Sequence, residues 1–193
     1  MTEKNYLALF AKSFNWAGFF LPKHTYQDCS KLYSFCRILD DLVDKRESLE
    51  LRIERFNKFK FFFKKTYEEV DNNRKLEDLN EYQLIINDMI AIVDNNKIKK
   101  IILDDLLDGV ESDLKPRIYL KSVKDLLVYS YRVAGTVGLM MAKILNVNDT
   151  RSLKGAIDLG IAMQLTNIAR DVIEDQEMNR QYIKPDLKIL RQP

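Results

Sequence analysis

Six glycines and four prolines in 193 residues leave this chain few places to turn. Glycine and proline are the strongest local punctuation in a polypeptide, so the tracts between them must run as regular structure. Those tracts are rich in Leu, Lys, Glu, Phe and Ile, mixing charged and apolar residues with the periodicity of helix. The sequence therefore predicts an all-α bundle of seven or eight helices with no convincing strand. The length suffices for one sizeable domain with a real core and is marginal for two. A single helical domain over 1–193 is expected.

Pro22 separates a short helix around Tyr6–Phe19 from a second at about Tyr26–Val43. Ser48 is placed to cap a third, Leu49–Tyr67, and the polar Asp71–Asp78 stretch reads as a loop. Two helices follow near Glu81–Val93 and Ile98–Leu114, broken at Asp94-Asn95-Asn96 and stopped by Pro116. Ser122 or Asp125 opens a long helix through Leu145, and Asn148 or Asp149 caps another reaching Asp175. The tail Arg180–Pro193 reads as short and irregular, although Leu187–Leu190 is apolar enough to begin another element.

A net charge of +2, with no basic stripe interleaved with stacking aromatics, argues against nucleic acid. Cys29 and Cys36 lie seven apart, about 10.5 Å along a helix, which is too far for a disulfide. Reduced thiols and the lack of a signal-like N-terminus lead to the expectation of a cytoplasmic protein. No run approaches the roughly 18 apolar residues of a membrane span. The Phe56–Lys65 segment reads either as a core face with lysines on its rim or as a surface that docks on an anionic membrane.

Two polar stripes stand out. Tyr33, Arg37, Asp40 and Asp44 are offset by four, three and four, so they share one helix face. Gln164, Asn167, Asp171 and Asp175, offset by three, four and four, share another, with Arg170 beside it. A polar stripe ordinarily faces solvent. Here each is embedded in apolar sequence and carries an amide, Arg or Tyr that mere solvation does not need. Two acidic stripes facing each other would repel unless cations sat between them. Oxygen donors without clustered His or Cys select Mg²⁺ or Mn²⁺ rather than zinc. Mg²⁺ takes few protein carboxylates and completes its shell with water and phosphate oxygens, so a diphosphate ligand is expected. Arg37, Arg170 and Arg180 are placed to hold its remaining oxygens. Ionisation to an allylic carbocation is the natural chemistry.

These residues resemble a known family. Tyr33-Ser-Phe-Cys-Arg37-Ile-Leu-Asp40-Asp-Leu-Val-Asp44 is similar to the first signature of the squalene/phytoene synthases. Tyr129-Ser-Tyr-Arg-Val133-Ala134-Gly135-Thr136-Val137-Gly138 resembles their central tunnel motif, and Gln164 through Asp175 with Asn179-Arg180-Gln-Tyr182 their second signature. Lys12-Ser13-Phe14 matches a short N-terminal motif, and Asp108-Gly109-Val-Glu-Ser-Asp113 the segment before the tunnel. Five motifs agree in order over about Ala11 to Leu187. The string Leu165–Asp171 is similar to bacterial phytoene synthases in particular.

The resemblance implies an isoprenoid-synthase fold and 1'-1 condensation of two prenyl diphosphates. For phytoene synthases these are two geranylgeranyl diphosphates, joined through a cyclopropylcarbinyl diphosphate in carotenoid biosynthesis without NADPH. It implies Asp40, Asp44, Asn167, Asp171 and Asp175 as Mg²⁺ (or Mn²⁺) ligands, the four aspartates and Tyr129 being catalytic. Ser13, Tyr33, Arg37, Arg170, Arg180 and Tyr182 would contact the diphosphates. Tyr129, Val133, Ala134, Val137 and Gly138 would line the tunnel, with Gln164 at its end. Tyr129, Val133 and Val137 do follow an i, i+4, i+8 stripe with small residues alongside, which suits an isoprenoid tail. Close helix packing accounts for Ala134 and Gly138 as well. Glu111 and Asp113 read either as organisers of the tunnel mouth or as a solvated helix end.

Chains of the family normally continue beyond the point where this one stops, which leads to the expectation of an incomplete bundle with apolar surface exposed on Tyr129–Met141 and Leu153–Leu165. Squalene or dehydrosqualene synthesis from farnesyl diphosphate is the neighbouring alternative, with NADPH needed for squalene alone. A shortened, non-catalytic binding or assembly module is the other. His24, the sole histidine, reads as a surface or capping residue.

Overall fold

The structure, a computed structural model, describes residues 16, 18, 20–45, 47–71 and 82–182. The chain divides into two compact units, one of Met1–Lys100 with Met141–Val147 and one of Ile101–Met140 with Asn148–Pro193.

In the first unit, helix α1 (Lys23–Asp44) packs against α2 (Leu49–Asp71) and α3 (Gln83–Asn95). The apolar positions explain the arrangement. Leu32, Phe35, Leu39 and Leu42 recur at three- and four-residue spacing along α1 and are buried. Phe56, Phe59 and Phe63 of α2 meet them, with Phe35 and Phe59 ring centroids 5.9 Å apart. Ile86, Met89, Ile90 and Val93 complete the core from α3. Each such side chain contributes at most about 1.5–3 kcal/mol by leaving water. The Phe-rich segment is thus a core face, while Phe61 of the same helix is 64% exposed. Ser48 starts α2 as expected, its hydroxyl accepting from the Leu51 N–H at 3.3 Å. Arg52 donates to the last-turn carbonyl of Val43 at 2.7 Å and so ties the end of α1. His24 is exposed near the start of α1, as its sequence position suggests. Both cysteines are free thiols.

The second unit holds α4 (Lys100–Glu111) from Ile101 onward, a 3₁₀ turn Ser112–Leu114, strand β1 (Ile118–Tyr119) and α5 (Val123–Ser130). A π-helical turn, Tyr131–Gly135, leads into α6 (Thr136–Ile144); α7 (Thr150–Arg170), α8 (Val172–Glu177) and strand β2 (Arg180–Gln181) follow. The caps are those the sequence signals. Ser122 and Asp125 form a reciprocal capping box at the start of α5, and Asp149 accepts from the Ser152 N–H at 2.8 Å at the start of α7.

Four expectations need correction. The fold is not strand-free: β1 and β2 pair in parallel, Ile118 with Arg180 and Tyr119 with Gln181. Two-residue strands have no alternation to read. They form here because the Ile118 and Leu120 N–H groups find the Asn179 and Gln181 carbonyls, at 3.2 and 3.3 Å. The tail's first residues, Arg180 and Gln181, are accordingly ordered strand. The long helix through Leu145 is interrupted by the π turn, a wider coil that shifts register by about one residue. The helix to Asp175 breaks at Asp171, whose φ of −98° and ψ of 16° leave the helical range. Its hydrogen-bond ladder nevertheless carries across, Asp171 N to Asn167 O and Asp175 N to Asp171 O.

The helix expected at Tyr6–Phe19, Ser13 and the apolar Leu187–Leu190 lie wholly or largely outside the described residues, as does the Asp71–Asp78 loop beyond Asp71, which ends α2. No helix of the described residues is long and apolar enough to cross a membrane.

Candidate active site

In the first unit, α1 carries Tyr33, Arg37, Asp40 and Asp44 as the spacing predicts, with Asp40 and Asp44 exposed one turn apart. Arg37 Nη2 pairs with Asp41 Oδ1 at 2.8 Å, a neighbour that the stripe does not include. Tyr33 is half-buried, and burial raises its phenol above the ordinary range; Arg37 opposes that shift and the Asp40 charge adds to it. Cys36, one turn before Asp40, has its thiol pushed far up, first by burial and then by that carboxylate.

In the second unit, Gln164 and Asn167 are half-buried on α7 and Asp171 sits at the hinge into α8. The guanidinium of Arg170 grips Asp171 with two parallel bonds, Nε to Oδ1 and Nη2 to Oδ2, both 2.6 Å. Those bonds hold the Asp171 carboxyl below the usual carboxylate range. Asp175, Arg180 and Tyr182 line one small depression with Ile168, Val172 and Gln181. Arg180 is buried despite its charge.

The tunnel segment shows a division of labour. Gly138 lies against α7 so closely that a Cβ there would stand 2.3 Å from the Ala156 carbonyl oxygen. Gly160 reciprocates, its missing Cβ 2.4 Å from Ala134 O. Ala134 and Gly138 thus serve the close helix crossing. Val133 turns elsewhere, towards Gly109 of α4 and the cluster around Tyr129, so the first two positions of the i, i+4, i+8 stripe stay together. Val137 is half-buried on α6.

Tyr129 is buried, its hydroxyl donating to Asp113 Oδ2 at 2.9 Å. Tyr182 donates to Asp113 Oδ1, also at 2.9 Å, and the two phenol oxygens are 3.1 Å apart. The rings stack at 4.8 Å over Ile118 and Ile168. Both phenols are held far above their ordinary range by burial first and by Asp113 second. Asp113 is 9% exposed, which rules out the solvated-helix-end reading for it. Sequence reasoning left its role open. The available signal was the Asp113-Leu114 pair just before Pro116: a carboxylate next to a buried Leu, in a turn that cannot continue as helix.

Apolar exposure is found on the α7 face, where Leu159 is 63% and Met163 46% exposed, but not on Tyr129–Met141, where Tyr129 and Met140 are buried and no large hydrophobic residue is exposed. Among the described residues no group of three or more His, Cys, Asp or Glu is gathered as a metal cage. The donor set still fits magnesium. It consists of carboxylate and amide oxygens in pairs, and Mg²⁺ uses one or two carboxylates while substrate and water supply the rest.

Comparison with known proteins gives this geometry its context. The squalene/phytoene synthase family profile matches residues 7–186. A 15-cis-phytoene synthase from a Paracoccus strain is 33% identical over 187 residues, and a phytoene synthase from Cereibacter sphaeroides is 33% identical over 181. These matches span 91% and 90% of this chain but only 57% and 48% of those proteins. A crystal structure of a dehydrosqualene synthase superposes with a TM-score of 0.71 at 31% identity, over 93% of this chain and 58% of that one. A squalene synthase from Alicyclobacillus acidocaldarius, 18% identical with a TM-score of 0.62 over 88% of this chain and 59% of its own, shares the fold.

Proposed function

The chain belongs to the squalene/phytoene synthase family, and from that premise we propose that it joins two geranylgeranyl diphosphates head to head to form phytoene. The observation that carries this reading is the similarity to phytoene synthases along nine-tenths of the chain. Because the chain spans just over half the length of the first of these relatives, activity, substrate and partners are all part of the proposal.

Asp40, Asp44, Asn167, Asp171 and Asp175 would hold Mg²⁺ or Mn²⁺, which when bound supplies positive charge to a departing diphosphate. Arg170 would turn from Asp171 to diphosphate oxygens, the same planar fork serving either anion. Arg37, Arg180, Tyr33, Ser13 and Tyr182 would complete the polar contacts. Tyr129 would present its phenol oxygen to the reacting carbons. Val133 and Val137, with Ala134, Gly138 and Gln164, offer the cation no strong nucleophile to capture it. No reductant enters this reaction. Phe61 among Lys58, Lys60, Lys64 and Lys65 supports contact with an anionic membrane, where so apolar a product would partition.

The dehydrosqualene synthase neighbour favours a second reading, in which farnesyl diphosphate is condensed instead. Incubation with each diphosphate and Mg²⁺, followed by hydrocarbon extraction, tests both. Phytoene from geranylgeranyl diphosphate is expected. Dehydrosqualene or squalene from farnesyl diphosphate alone would shift the assignment to the second reading. No product from either, combined with no metal-dependent thermal stabilisation by a non-hydrolysable prenyl diphosphate, would leave a binding or assembly module.

A further inference from the structure

We propose that Asp113 is a positioning residue of the synthase site, one that fixes the direction of the Tyr129 hydroxyl proton and so determines what that oxygen presents to the substrate. The inference rests on the functional reading above, in which Tyr129 touches the reacting carbons.

The geometry is specific. A phenol has one proton and two acceptor positions. The Tyr129 hydroxyl has Asp113 Oδ2 at 2.9 Å and the Tyr182 oxygen at 3.1 Å as its acceptors, and the Tyr182 hydroxyl donates to Oδ1 at 2.9 Å. Each carboxylate oxygen therefore accepts from a phenol, and both phenol protons are turned inward, to the buried carboxylate or to the neighbouring phenol. What Tyr129 retains for a substrate is its lone pairs. Next to an allylic carbocation that orientation attracts, whereas an O–H turned outward would repel it. A buried carboxylate within hydrogen-bond distance also raises the electron density of the oxygen through the bond it accepts.

The frame around the pair is built to hold it. Asp113 is fixed in the 3₁₀ turn that ends α4. Tyr129 occupies the last turn of α5, immediately before the π turn, and packs on Ile168 of α7. Tyr182 follows directly on β2, whose pairing with β1 brings it over Tyr129, and Asn179, at a left-handed φ of 59°, makes the turn from α8 into that strand. Two side chains distant in sequence, Tyr129 and Tyr182, thus converge on one carboxylate. A carboxylate serving only to satisfy two hydroxyls would be replaceable by an amide with modest loss. One that directs a proton would not, because an amide nitrogen must donate where Asp113 accepts.

The test is a double-mutant cycle on the full chain with geranylgeranyl and farnesyl diphosphates. Asp113→Asn is expected to lower kcat tenfold or more while KM stays within about threefold, and to add little in a Tyr129→Phe background, since it acts through that hydroxyl. Thermal stabilisation by a non-hydrolysable prenyl diphosphate should survive in Asp113→Asn. If that variant does not fold, Asp113→Glu, which keeps the acceptor and charge on a longer arm, carries the same cycle. Unchanged kcat, or losses that multiply fully with those of Tyr129→Phe, would overturn the proposal while leaving the synthase reading intact. A wild-type chain inert on both diphosphates would overturn the synthase reading and this inference together.

Discussion

Tyr129 and Tyr182, fifty-three positions apart, stack at 4.8 Å with their hydroxyls 3.1 Å from each other and each bonded to Asp113. Removing the Tyr182 hydroxyl leaves Asp113 Oδ1 a donor short in a buried place. A hydrogen bond to a charged group contributes about 1.5–3 kcal/mol, so Tyr182→Phe should lose stability in that range despite keeping its ring. Urea unfolding measures it. A loss confined to a few tenths would mean that water reaches the carboxylate.

The glycines make opposite predictions. A Cβ on Gly138 or Gly160 would meet backbone oxygen at 2.3 or 2.4 Å, and backbone cannot swing aside as a side chain can. Gly138→Ala and Gly160→Ala should each cost about 1–3 kcal/mol by forcing α6 and α7 apart. Gly155, on an exposed turn of α7, has nothing within 4 Å of its would-be Cβ. Gly155→Ala should instead gain about 0.4–1 kcal/mol, because Ala lowers the entropy of the unfolded chain. Equal midpoints for Gly138→Ala and Gly155→Ala would rule out the close crossing.

The contrast between these positions shows what could be read from sequence. Periodicity placed α1, α2 and the Gln164–Asn167 part of the second stripe correctly because helix registers are local: Asp40 and Asp44 are one turn apart whatever surrounds them, whereas the break at Asp171 puts Asp175 on α8. The caps at Ser48, Ser122 and Asp149 were legible for the same reason. The π turn was not, since no local spacing in Tyr131–Gly135 announces it. The Arg37–Asp41 pair, at i, i+4, was open to the same reading but lies beside the stripe that carries Asp40. The Asp113 site needed a two-residue parallel pairing that no alternation announces.

The cysteines should be inert. Burial pushes the Cys29 thiol up to about 11, so at pH 8 about one molecule in a thousand carries the reactive thiolate there. Cys36 is raised further by burial and by the nearby Asp40 charge. Native protein at pH 8 should react with Ellman's reagent far more slowly than the urea-unfolded chain does. Asp40→Ala should speed the Cys36 reaction by removing the negative charge that opposes thiolate formation. Rapid labelling of both thiols in the native state would show that α1 is not buried on this side.

The carboxylate pairs allow the decisive separation of chemistry from folding. Asp40 is exposed and Asp171 partly so, and neither supports the buried core, so Asp40→Ala and Asp171→Ala should keep the helical circular dichroism of the parent. If each helps hold a metal that stabilises a departing diphosphate, losing it removes several kcal/mol from the transition state, on the order of a thousandfold in rate. Asp171 carries a further signature. While its bonds to Arg170 are intact they keep it ionised to lower pH than an ordinary carboxyl, so before diphosphate binds its protonation should not limit metal binding within or above the ordinary Asp range. Chelation should abolish turnover, with Mg²⁺ or Mn²⁺ restoring it. Turnover that persists in EDTA, or variants that lose their helicity along with activity, would make these aspartates structural rather than catalytic.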